Sequence, residues 1–299
     1  MAWDRPLLLN RPLIQGGRVQ AHALPSAPGA LPEGRLGGGG SNAAAALLNA
    51  GHTATVASAV PSGSVGDQIL AQASSLGIDT RFVARTHDVA GATLLLIDPE
   101  GERTILRVLS EDQDRSAKLS AVMDAFSGAF RNSWKTSAYE SIYLRIGQAP
   151  DDIDLKGFNG TILTHGPLSQ ETPSDYVVTS RDDLENAGTD EASYFARTRA
   201  LAANRLKALI VTDGASGGVA ITAEGRTPYS SPQVRQVDAT GAGDCFAAGF
   251  LDAITTGADL HAALSHGAAW GAETAARMGS ALCPAEQIYK PFEQTGARA

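Results

Sequence analysis

The sequence predicts an α/β protein in which a mostly parallel central sheet carries helices on both faces. Three observations point there. Short apolar runs without polar alternation, Ser141–Ile146, Thr161–Thr164, Tyr176–Thr179 and Ala208–Val211, fit strands buried on both faces. Helical signals with caps and glycine stops alternate with strand signals through most of the chain. Finally, Val237–Phe250, V-D-A-T-G-A-G-D-C-F-A-A-G-F, is a tight glycine turn feeding a buried helix that ends near Gly257. At 299 residues, one main domain with a small appendage accommodates these elements, because single α/β domains reach this size.

Taken in order, Leu7–Gln15 is apolar but interrupted by Asn10, Arg11 and Pro12, and is expected to form a first strand that tolerates proline at an edge or bulge. Pro25–Gly34 is loop-like. An alanine-rich helix follows the run Arg35–Asn42; Ser41 or Asn42 can cap it and Gly51 can end it. His52–Ala59 is a strand pattern. Ser64-Val65-Gly66-Asp67 looks like a capping-box variant opening a helix through Ile69, Leu70, Ala73 and Leu76, stopped by Gly77. Ala92–Asp98 and Arg103–Val108 flank Pro99-Glu100-Gly101-Glu102, a hairpin signal. Ser116–Trp134 is expected to be helical, as is Asp190–Leu206. The strand Ala208–Val211 then delivers Thr212–Gly218 into a strand at Val219–Ile221, Gly225 marks a second hairpin, and a last helix runs from about Asp259 to Met278.

The formal charge of −8 argues against nucleic acid or an anionic membrane as the main partner, since both select a basic surface. Any phosphate must then be held locally, by backbone and a few arginines. Cys245 and Cys283 are far apart with no C-x-x-C, so neither a disulfide framework nor a zinc site is encoded. That suits a reducing cytoplasm. Met1–Gln20 has no continuous apolar core of signal-peptide or membrane-span length, so a soluble, cytoplasmic protein is expected. His261 and His266 fall about 140° apart on a helix and make no one-face metal pair.

The glycine turn at 241–243 carries the chemistry. The first N–H groups of a helix lack partners within it and, with the helix dipole, attract an anion, which glycines let approach closely. Asp244 stands where it could cap the helix or accept a proton from a hydroxyl attacking a bound phosphate. A dinucleotide fingerprint is ruled out by Phe246 at its sixth position, and a Walker A loop by the lack of Gly-Lys-Ser/Thr. The segment instead resembles the second signature, D-T/A-T-G-A-G-D-x-F, of the PfkB family of carbohydrate kinases, the ribokinase-like proteins. The first signature, G-G-x-G-x-N before an alanine-rich helix, is matched by Gly37, Gly38, Gly40 and Asn42.

The resemblance implies a ribokinase-like fold with a small β-sheet lid, from about 7–36 and 90–110, that covers a sugar site and pairs two subunits into a homodimer. It implies transfer of the γ-phosphoryl group of ATP to a sugar hydroxyl, with Asp244 as general base and the Gly241, Ala242 and Gly243 backbone as anion hole. Gly37, Gly38, Gly40 and Asn42 would hold sugar hydroxyls, a task suited to an amide that both donates and accepts. Thr212, Gly214 and Gly217 match the T-x-G-x-x-G nucleotide loop, although taken alone the segment reads first as a plain turn into the Val219–Ile221 strand. His266 falls where relatives line the adenine pocket, or is a satisfied core histidine. Cys245 at the helix start could have a lowered pKa, but with no His or second Cys near it in sequence it reads as a small packing residue.

Asp238 and Thr240 match a monovalent-cation site, so potassium activation enters as an expectation beside Mg2+. Three departures are visible. The family's Mg2+-organising N-x-x-E is Ser180-Arg181-Asp182-Asp183, which leaves Asp183 to act on the metal through water. The early-strand Asp that grips sugar hydroxyls is replaced, by spacing, with Gln20. The acidic contact after the strand at Ile142–Ile146 has Gln148 as its nearest substitute. Alternatives stay open: a nucleoside kinase, which would want lid aromatics where Met1–Ser110 holds only Trp3 and Phe82, or a non-catalytic sugar or nucleotide sensor.

Overall fold

The computed structural model describes residues 1–12, 21–23, 34–87, 93–107, 115–133, 139–278 and 289–293. The chain divides into two compact units, Met1–Ala129 with Val234–Cys245 and Glu273–Tyr289, and Phe130–Gln233 with Phe246–Ala272 and Lys290–Ala299.

In the first unit the described elements are β1 (Ala2–Leu9), β2 (Ala21–Ala23), β3 (Arg35–Gly37), α1 (Gly39–Asn49), β4 (Thr55–Pro61), α2 (Ser64–Ser75), β5 (Asp79–Thr86), β6 (Thr93–Ile97), β7 (Arg103–Arg107) and most of α3 (Arg115–Ser133). One sheet has the order β2-β1-β6-β7, with β3 also pairing β1; the β1–β6 pair is parallel and the others antiparallel. β4 and β5 form a separate parallel pair. Trp3, Leu36, Ala44, Val56, Val60, Ile69, Ala73 and Ile78 make the core here.

Three local expectations are corrected in this unit. The first strand is Ala2–Leu9, not Leu7–Gln15; it stops before Asn10 and contains Pro6, which falls between the segment paired with β3 (2–4) and the segment paired with β2 (7–9), where a missing N–H breaks no bond on that side. α1 is capped by neither Ser41 nor Asn42. Its N-cap is Gly38 at φ 92°, a left-handed conformation that suits glycine, and Ser41 and Asn42 lie buried in the first turn. In α2 the capping box does not form: Gly63 is the N-cap, and Asp67 pairs instead with Arg85 at 2.6 Å. The end of α1 is as expected, because Gly51 and His52 donate to Leu48 and Leu47 carbonyls in a Schellman motif. So is the β6–β7 hairpin, where the Asp98 carboxylate accepts the N–H groups of Glu100 and Glu102.

The second unit contains β8 (Ser141–Leu144), β9 (Thr161–His165), β10 (Tyr176–Ser180), α4 (Arg181–Asn186), α5 (Glu191–Leu201), β11 (Ala208–Thr212), β12 (Gly218–Ile221) and β13 (Arg226–Tyr229), with α6 (Ala242–Thr255) from Phe246 onward and α7 (Leu260–Ala275) through Ala272. Its sheet runs β13-β12-β11-β10-β9-β8, parallel from β8 to β11 and antiparallel at the β12–β13 edge. The absence of polar alternation now has its reason. Tyr176, Val178, Ala208 and Ile210 pack with Phe246, Phe250, Leu251 and Leu264 on one face. Val177, Leu209 and Val211 pack with Leu184, Tyr194 and Ala202 on the other. Both faces of β10 and β11 are therefore dry, as in a doubly covered α/β sheet.

The helix expected at Asp190–Leu206 is shorter. Asp190 caps it, accepting from Ser193 N–H, and it ends at Leu201 because Ala203 and Asn204 take positive φ. Arg205 then reaches the carbonyls of Lys156, Phe158 and Gly160 and the Asp175 carboxylate, tying the turn to the strand ends. Among the described residues no helix is long and apolar enough to cross a membrane.

Candidate active site

The first turn of α6 (Ala242–Cys245) belongs to the first unit, together with the loop that feeds it. Gly241 takes φ 80°, and α6 begins at Ala242, so Asp244 is the third residue of the helix and not its cap. The Ala242 N–H donates to the Ala239 carbonyl and the Cys245 N–H to the Gly241 carbonyl. The N–H groups of Gly241 and Gly243 meet no acceptor among the described residues, which leaves donors at the positive end of the helix dipole.

Asp244 is buried, and its Oδ2 accepts a 3.0 Å hydrogen bond from Nδ2 of Asn42 in the first turn of α1. Because Gly38 starts α1 by backbone conformation alone, the Asn42 amide is available for this contact across 202 residues of sequence. A methyl group at Gly241 would stand 2.8 Å from that same Nδ2. Gly241 therefore serves both the turn and the approach of Asn42.

Two arginines that the sequence did not single out close the loop from outside. Asp238, fully buried, accepts Arg35 Nη2 at 2.9 Å on Oδ2 and the Thr240 N–H at 2.9 Å on Oδ1. Arg103 Nη1 donates to the Ala239 carbonyl at 3.0 Å, and the hairpin turn adds Gly101 O to Ala239 N–H and Glu102 to Gln236. Thr240 Oγ1 is buried without a hydrogen-bond partner among the described residues.

A carboxylate also stands at the glycine run, where spacing had left only Gln20 in place of one. Gln20 lies outside the described residues. Asp4, on β1 opposite Arg35 of β3, is buried, and its carboxyl group occupies the space that a side chain at Gly37 would need. Asp4 lies on the part of β1 that precedes the apolar run beginning at Leu7. Gly37 ends β3, Gly38 is the α1 cap, and Gly40 lies in the first turn of α1 with open space where a side chain would be.

The remaining candidates belong to the second unit. Thr212 Oγ1 donates to the Thr179 carbonyl, and Gly214 opens a 3-10 turn that Gly217 closes before β12. A side chain at Gly217 would strike the Tyr229 carbonyl. Ser180 caps α4, a short helix the sequence did not announce, by accepting the Asp183 N–H at 3.0 Å; the Asp183 side chain is exposed in its first turn. Gln148 Oε1 accepts from Ser169 Oγ. His266 Nε2 lies 2.9 Å from Asp252 Oδ2, flanked by the rings of Trp270 and Phe292, and Asp252 also accepts the Phe292 N–H.

Cys245 is fully buried, and burial pushes its thiol up to about 12, so it packs as a small apolar group beside Tyr289 and is not an activated thiolate. Cys283 lies outside the described residues. Among the described residues no group of three His, Cys, Asp or Glu side chains is placed to hold a metal.

The profile of the pfkB family carbohydrate kinases matches residues 30–134 and 170–287, most of the chain and both glycine signatures. The chain belongs to the PfkB family. Solved structures agree on the ribokinase fold. Ribokinase from Thermotoga maritima shares 19% identity at a TM-score of 0.62, covering 96% of this chain and 95% of that one. A Burkholderia thailandensis nucleoside kinase, solved in complex with inosine, shares 16% at 0.67, with 96% and 92% covered. Phosphofructokinase-2 from Escherichia coli, solved in complex with potassium, shares 16% at 0.65, with 96% and 94% covered. No curated protein matches the sequence. This PfkB chain is accordingly a kinase of ribokinase fold with its two signature segments joined through Asn42 and Asp244.

Proposed function

We propose that the protein transfers the γ-phosphoryl group of ATP to a hydroxyl of a small carbohydrate. The observation that carries this reading is the buried Asn42–Asp244 hydrogen bond, which puts a hydroxyl-binding amide and a proton acceptor side by side. Phosphoryl transfer asks a protein mainly for positioning and charge stabilisation. Asp244 takes the proton of the attacking hydroxyl. The Gly241, Ala242 and Gly243 backbone and the α6 dipole face the charge that builds on the transferred group. Asn42, Asp4 and the Gly37, Gly38 and Gly40 backbone receive the other hydroxyls. Asp4 supplies a carboxylate where spacing had left only the amide of Gln20.

Thr212, Gly214 and Gly217 form the nucleotide turn. Gln148 is kept as a weaker candidate for substrate, and His266 for the adenine side. Mg2+ fits a site of few protein ligands, since it keeps waters and nucleotide phosphate oxygens as its main ligands, and exposed Asp183 supplies a carboxylate for that shell. β1, β2, β3, β6 and β7 are the lid, and through their sheet two copies would pair. A sugar is favoured over a nucleoside because Trp3 is buried in the core, which leaves Phe82, with Arg81 over its ring, as the one other aromatic of Met1–Ser110.

The reading is tested by following ADP formation over a panel of sugars and nucleosides. Turnover confined to nucleosides, or absent throughout despite binding of both ligands, would replace it with the nucleoside kinase or the sensor. Asn42→Ala should weaken acceptor binding by about 1–3 kcal/mol, the penalty for leaving polar groups unpaired, with ATP affinity little changed. Equal losses for both ligands would count against Asn42 as a substrate contact. Asp183→Ala should raise the Mg2+ concentration giving half-maximal rate; an unchanged requirement would place the metal elsewhere.

A further inference from the structure

The resemblance leads to a monovalent cation beside the anion hole, at Asp238 and Thr240, and the similar phosphofructokinase-2 was solved with potassium. Among the described residues the donor set does not fit such an ion. A monovalent cation needs several inward oxygens that are not already turned to other positive charge. Here both Asp238 oxygens are engaged, Oδ2 by the Arg35 guanidinium and Oδ1 by the Thr240 N–H, each at 2.9 Å. The next carbonyl, Ala239, takes the Arg103 guanidinium at 3.0 Å. Thr240 Oγ1 adds one neutral oxygen, and among the described residues that is too little for a cage.

A fully buried carboxylate must face positive charge or be strongly penalised, and a guanidinium supplies it permanently, with planar donors on a covalent tether. We propose that Arg35 is the built-in cation of the 238–241 turn, holding the loop that presents the anion-hole amides, so that this protein is independent of potassium. Arg35 is then a positioning residue. It grips the loop through Asp238 from β3, the strand that leads directly into Gly37 and Gly38, so one side chain orders both glycine segments. This rests on the kinase reading above for its consequence on rate, but not for its consequence on ion binding.

The experiment compares wild type and Arg35→Ala in a tetramethylammonium buffer and then with KCl, NaCl or low-millimolar guanidinium added, reading melting temperature without substrates and rate with them. Wild type should show no saturable rise in melting temperature with potassium and a rate changed by less than about twofold, as expected where no ion binds the folded state. Arg35→Ala should melt lower, turn over more slowly, and recover part of both with guanidinium or potassium, which can enter the vacated place. A saturable potassium effect on wild-type melting would overturn the proposal. So would an Arg35→Ala variant that matches wild type without potassium, or one that is impaired and rescued by neither cation. If the variant does not fold, the wild-type titration still decides. Failure of the kinase reading would appear instead as absent turnover across the acceptor panel, with the melting result untouched.

Discussion

Asp244→Asn is expected to lower the phosphoryl-transfer rate by about 10²–10⁴-fold, the usual range for a lost general base, with little change in melting temperature. The side chain keeps its size, and its remaining oxygen can still accept from Asn42 Nδ2, so the 3.0 Å contact survives. What disappears is the group proposed to remove the hydroxyl proton. Binding of sugar and ATP should persist, with ATP slightly tighter because a negative charge near the γ-phosphate has gone. Rate measurements under saturating substrates, paired with calorimetry of each ligand, check this. A variant as active as wild type would take Asp244 out of the mechanism and leave it as the partner of Asn42.

The largest loss of stability is expected further along the same helix. Phe250 is fully exposure-free and meets Tyr176 edge-on at 4.9 Å, with Phe246 stacked at 6.5 Å. Phe250→Ala removes a ring that fastens α6 to β10, and truncating a buried phenylalanine costs about 3–5 kcal/mol, to which the aromatic pairing contributes. Urea denaturation measures the loss. Activity per folded molecule should fall far less than in Asp244→Asn, because the ring touches none of the proposed reacting groups. A change below about 1 kcal/mol would be too small for a filled core site and would mean that α6 does not pack on the sheet in this way.

The two variants separate what each end of α6 does, and they also show where sequence was informative. The sequence by itself determined the elements whose cause is local. The runs at Tyr176–Thr179 and Ala208–Val211 announce doubly covered strands because each residue must be apolar whichever face it takes. Pro99-Glu100-Gly101-Glu102 announces the hairpin, which Asp98 closes through bonds that span a few residues. The two glycine segments were legible for the same reason, since exposed amides at a helix start are a property of backbone conformation, and so were the ends of α1 and α6.

Tertiary structure decided what depends on residues far apart in the chain. Asn42 could have capped its own helix; only the fold brings it to Asp244, 202 residues away. Asp238 suggested a cation, and its partner proved to be Arg35, 203 positions earlier, which no spacing rule connects to it. Asp4 was missed because the strand that carries it is defined by pairing with β3 and β6 more than by its own interrupted hydrophobicity. Cys245 read as a packing residue, and for His266 two readings were equally compatible with the sequence. Burial settled the thiol, while His266 gained a hydrogen bond to Asp252 from another helix. Backbone conformation is set by a few neighbouring residues, whereas the charge, water and partners around a side chain are set by whatever the whole chain packs against it.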